Sequence, residues 1–144
     1  MKNAGTFSIA TLLLVFAALA CSFPPASIGT LAAFKDKAGE NKATTFQVGD
    51  IIYSHAALVN NSEKVTVKFT LMPEDVKGMT KGETIKEAET LQVVDGGGTA
   101  IFILTTGKNF PAGTYKINAE MINEAGETKD SKSINITVVK ANEL

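Results

Sequence analysis

The chain has 144 residues and a formal net charge of −1, with 14 basic residues, all lysine, against 15 acidic ones and a single histidine. That balance gives no field to gather nucleic acid or anionic lipid, and without arginine or tryptophan there are no bidentate phosphate forks and no indole platforms for cations. One cysteine excludes an internal disulfide and any cysteine-rich metal site, so stability rests on burial and backbone hydrogen bonding.

Near the start, Lys2 is followed by an uncharged run from Phe7 to Ala20 that closes on Ala18-Leu19-Ala20-Cys21. A positive start, a short apolar stretch and small residues at the cut are the parts of a bacterial export signal. The run falls short of the roughly 20 apolar residues that a membrane span needs, and it contains Ser8 and Thr11. Ala20 followed by Cys21 resembles a lipobox. That resemblance implies cleavage between Ala20 and Cys21 and a diacylglyceryl group on the cysteine sulfur. Ala18-Leu19-Ala20 also fits an ordinary secretory cut, which would release a soluble chain. With Ser22 rather than aspartate after the cysteine, analogy with enterobacterial sorting favours the outer membrane.

Losing residues 1–20, and Lys2 with them, would leave 124 residues with 13 lysines against 15 acidic groups, enough for one domain with a proper core. Residues 21–27 read as the lipidated cysteine and a tether that Pro24 and Pro25 keep extended. Residues 28–144 read as one all-β domain, because the hydrophobic period is two and turn signals recur about every ten residues.

Leu31–Phe34 and Thr44–Gln47 suggest a first, split strand. Ile51–Val59 and Thr99–Thr105 are apolar on both faces, as expected of central strands. The clearest alternation is Lys64–Leu71, with Val65, Val67, Phe69 and Leu71 on one face. Thr84–Val94 reads as an edge strand whose Glu87 and Glu89 discourage edge-to-edge pairing. Tyr115–Met121 and Ser133–Val138 alternate again, and a glycine-containing hairpin, Asn123–Glu127, joins them.

Between these strands, Met72–Glu83 reads as the longest irregular connection. Its Pro73, Glu74, Asp75, Lys77, Met79 and Lys81 form a candidate partner-binding loop, since loops on a rigid scaffold carry contacts and an exposed methionine adapts to varied partners. The turn at Asp95-Gly96-Gly97-Gly98 is a second candidate contact surface. Whether the two lie at one end of the domain depends on topology that the pattern does not fix.

Phe110-Pro111-Ala112-Gly113-Thr114-Tyr115 resembles the step into strand F of immunoglobulin-like and fibronectin-type sandwiches. Pro111 fixes φ, Gly113 allows a tight bend, and Tyr115 can bury its ring while its hydroxyl meets a backbone group. The resemblance implies a single immunoglobulin-like β-sandwich of about seven strands, without the cross-sheet cysteines and core tryptophan of antibody domains.

No residue set points to catalysis. His55 stands alone, whereas zinc needs three or four protein ligands, so no metal and no cofactor are expected. Glu83, Glu87 and Glu89 read as a solvated face rather than an acid–base pair. The expected role is a non-catalytic binding or scaffold module of the bacterial cell envelope. It would be anchored to a membrane through Cys21, facing periplasm or exterior, with another envelope protein as partner and no nucleic acid. The rival expectations are a loop-inserting enzyme inhibitor and a periplasmic carrier of a small ligand or metal.

Overall fold

A computed structural model describes residues 23–142. Cys21, the expected cleavage site after Ala20 and the apolar run before them lie outside the described residues. Among those described, the chain is nearly all β, in two sheets, with one short turn of 3₁₀-helix at Lys86–Ala88 and no helix long and apolar enough to cross a membrane.

The strands are β1 (Ser27–Phe34), β2 (Thr45–Gln47), β3 (Ile51–Val59), β4 (Lys64–Val76), β5 (Thr90–Asp95), β6 (Gly98–Thr105), β7 (Gly113–Asn123) and β8 (Thr128–Val139). One sheet has the order β1-β3-β6 and the other β2-β8-β7-β4-β5; all pairings are antiparallel except that of β2 with β8.

Alternation puts one face of each strand into the space between the sheets. From β4 come Val65, Val67, Phe69 and Leu71, and from β7 Tyr115, Ile117, Ala119 and Met121, all buried. Opposite them lie Ile52, Ala56 and Leu58 of β3 and Ala100, Phe102 and Leu104 of β6. The Phe69 and Phe102 rings stack across the gap with centroids 5.5 Å apart, which ties the two layers together. Fully burying a side chain of this kind stabilises the fold by roughly 1.5–3 kcal/mol.

The split first strand divides between layers. β1 begins earlier than the pattern indicated, at Ser27, and lies in the smaller sheet; β2 crosses to run parallel to β8 in the larger one. Ala26, in the stretch expected to be a tether, packs against the core.

Three expectations need correction. Met72–Glu83 is not one loop, because β4 continues through Val76 and takes Pro73, Glu74 and Asp75 with it. Pro73 and Val76 are buried, and a bulge between Pro73 and Asp75 absorbs the proline in the ladder with β7. Thr84–Val94 is not one strand either. Ile85 and Ala88 both pack on the core, and a 3₁₀ turn eclipses residues three apart, whereas a strand would send them to opposite faces. Glu87 and Glu89 therefore share no strand face. Finally, β6 is apolar on both faces yet sits at a sheet edge rather than in the centre.

The strands run so that one end of the sandwich carries Ser27 and the turns at 59–64, 95–98 and 123–128. The opposite end carries the connections 34–45, 47–51, 76–90 and 105–113. The two candidate contact surfaces are thus at opposite ends. Gly96–Gly98 shares the end of Ser27, and Lys77–Lys81 lies at the far end.

Candidate functional site

At the far end, the segment after β4 is folded back on itself. Met79 N–H donates to Val76 O (3.2 Å), Gly82 N–H to Pro73 O (2.8 Å) and Ile85 N–H to Leu71 O (2.8 Å). Glu74, on the bulge, accepts from Lys116 on β7 and forms an ion pair with Lys81 at 3.2 Å, which pins the excursion to the sheet. Those hydrogen bonds, that of Lys116 foremost, hold the Glu74 carboxyl below its ordinary range. Of the six candidate loop residues, Pro73, Glu74 and Asp75 therefore belong to the sheet. Lys77, Met79 and Lys81 belong to the excursion, and Met79 is 37% exposed. Met79, Thr80 and Glu83, together with Lys86 and Glu87, line an open depression of about 510 Å³.

The Pro111–Tyr115 corner lies at the same end. The Tyr115 hydroxyl donates to Pro111 O at 2.7 Å, and the buried ring lies 5.1 Å from that of Phe110. Burial raises the phenol pKa. Gly113, with φ +151°, is where β7 passes close to β4; a Cβ there would collide with the Asp75 carbonyl oxygen.

Beside this corner the sandwich opens along β6. A cavity of about 310 Å³ lies between β6 and the 3₁₀ turn, lined by residues 102–105 of β6, by Ile85, Glu87 and Ala88 at the turn, and by Phe110. Glu87 is the exposed charged residue of its lining, and among the described residues it has no ion-pair partner, unlike Glu74 and Glu89. Lower down, where β5 turns into β6, the opening closes: Gln92 Oε1 accepts the Ile101 N–H at 2.8 Å. The pattern had marked neither Gln92 nor the cavity. The one trace of them in the sequence is the two-sided apolar character of Thr99–Thr105.

At the opposite end, the Gly96–Gly98 turn is held rather than loose. Asn61 Nδ2 donates to both Glu63 O and Gly96 O at 2.7 Å, and Gly96 N–H donates to Glu63 O. His55 sits on the outer face of β3, its ring 4.8 Å from that of Phe34 and covered by Gly39, with Nε2 buried and without a hydrogen-bond partner among the described residues. No group of three or more metal-ligating side chains occurs among the described residues.

No protein-family model matches the chain, and no curated protein matches it. Solved structures similar to it include a family 76 glycoside hydrolase from a bovine Bacteroides thetaiotaomicron strain, at 16% identity and a TM-score of 0.47, over 76% of this chain and 20% of that one. A β-glucosidase from Listeria innocua is similar at 13% identity and a TM-score of 0.47, over 76% of this chain and 16% of that one. A Niemann-Pick type C2 protein from Japanese carpenter ant is similar at 13% identity and a TM-score of 0.45, over 83% of this chain and 96% of that one. The chain spans a fifth or less of the two hydrolases. These likenesses assign no activity to it.

Proposed function

We propose that the protein is a non-catalytic binding or scaffold module of a bacterial cell envelope, an immunoglobulin-like sandwich held at a membrane by lipid on Cys21. The observation that carries this reading is the placement of the only cysteine directly after an apolar run that closes on Ala18-Leu19-Ala20. A lone thiol there has no disulfide partner within the chain, and acylation would give it a role.

The immunoglobulin-like assignment is supported by two features. The order β1-β3-β6 against β2-β8-β7-β4-β5 is that of a Greek-key sandwich whose first strand is shared between sheets, and the Tyr115 hydroxyl reaches back to Pro111 at the start of the penultimate strand. Ser27 opens β1 six residues after Cys21, a reach of at most about 20 Å when extended. An acylated Cys21 would keep the 59–64, 95–98 and 123–128 turns next to the bilayer and turn the 76–90 and 105–113 connections toward a partner. Several acyl chains make such attachment durable, and confinement at the surface raises the effective concentration of even a weak contact.

The test is metabolic labelling of producing cells with an alkyne fatty acid. Wild type is expected to take up label and fractionate with membranes, and Cys21→Ser to take up none. Unlabelled wild type in the soluble fraction would favour the secretory cut, and equal labelling of the variant would remove Cys21 as the site.

A further inference from the structure

We propose that the upper half of β6 is a docking edge for an extended peptide, which adds as a fourth strand to the smaller sheet and sends alternate apolar side chains into the cavity beside it. The backbone dictates the occupant. In an antiparallel pair, residues alternate between those bonded to the neighbour and those facing away from it. Because Ile101 N–H is turned outward to Gln92, Ile103 and Thr105 are turned outward too, being two and four positions on. Among the described residues, nothing pairs with their outward N–H and C=O groups. Another main chain in extended form offers both donors and acceptors at that spacing along the whole stretch, the strand-addition mode of peptide recognition.

The side chains define the peptide further. Phe102 and Leu104 are buried and Ile103 is half exposed, so alternation puts the first two on the inner face of the sheet and Ile103 on the outer one; all three border the cavity, and a strand laid alongside alternates in the same sense. Every second residue of the partner is therefore aliphatic. Glu87, exposed in the cavity lining, asks for a lysine or arginine on the partner. An uncharged, apolar, flat edge is a liability that stable monomers cover or charge, and this stretch of β6 carries no charged residue, bulge or proline. A second copy of the chain fits less well, since its own β6 edge carries no lysine to meet Glu87. The inference does not require the lipid anchor, and its failure would leave membrane attachment untouched.

The full chain, extracted in mild detergent, is titrated into a fluorescein-labelled heptapeptide of alternating valine and lysine, and binding is read by anisotropy. A peptide of the same composition with its valines grouped, and one N-methylated at alternate amides in each of the two phases, serve as comparisons. The alternating peptide is expected to bind, and one phase of N-methylation to weaken it about tenfold or more by removing its donors. Ile103→Pro removes an outward donor and spares the ladder with β3, so about a tenfold loss is expected with an unchanged circular dichroism spectrum. Glu87→Gln is expected to weaken binding about threefold at low salt. Should Ile103→Pro fail to fold, the two N-methylated peptides decide the matter alone. Equal binding of alternating, grouped and N-methylated peptides would overturn the proposal. So would a dimer of the chain joined through Ile103–Thr105 that the peptide does not dissociate.

Discussion

β1 and β6 are the two edges of one three-stranded sheet, both rich in apolar residues, and they are finished in different ways. Along β1, the Ile28 N–H donates to Asp130 Oδ2 at 2.8 Å and Lys132 Nζ donates to Gly29 O at 2.7 Å, so two charged side chains from β8 fill the lower edge. Higher up, the segment 41–43 folds over it, with Ala43 N–H on Ala33 O and Lys35 N–H on Asn41 O. Along β6 a single amide, Gln92, occupies one position, and the strand above it is bare. An edge is thus protected by groups supplied from elsewhere in the chain. Asp130 is 102 positions from the amide that it caps.

Substitutions probe the two edges to different depths. The largest effect is expected from Phe102→Ala on the inner face of β6, which removes the stack with Phe69 and opens a cavity costing about 3–5 kcal/mol. Urea unfolding reads it as a lower midpoint at unchanged slope. Next comes Asp130→Ala, which strips β1 of its carboxylate and leaves the Ile28 amide short of a charged acceptor, about 1.5–3 kcal/mol by the same measurement. Gln92→Ala should cost less, about 1 kcal/mol, and should raise amide exchange at Ile101 selectively. The smallest effect on stability belongs to Ile103→Lys, within about 0.5 kcal/mol, since that side chain is half exposed. A lysine there would nevertheless give β6 the charge that edge strands use against pairing, and the protein should become less prone to aggregate on concentration.

Period-two alternation made most of the strands legible, because the buried faces of β4, β7 and β8 are the ones it marks. Where it misled, a contact distant in sequence had overridden the local pattern. Pro73 reads as part of a loop, yet it pairs with Tyr115 and the bulge that follows keeps it in the ladder. Ile85 and Ala88 read as part of a strand until the core draws both inward through a 3₁₀ turn. Two-sided apolar character read as centrality in both β3 and β6. It holds for β3, which has a neighbour on each side, and fails for β6, which has one. The candidate contact surfaces were separable only once strand direction was known, because sequence distance says nothing of which end a turn occupies.

The claim on which the functional account stands is chemical and sits at residue 21. Mass spectrometry of the N-terminal fragment, taken from chain recovered in the membrane fraction, tests it most directly. The account expects a fragment that begins at Cys21, lacks residues 1–20 and carries a thioether-linked diacylglyceryl group. A fragment that begins at Cys21 with a free thiol, or one that retains the apolar run, would contradict it.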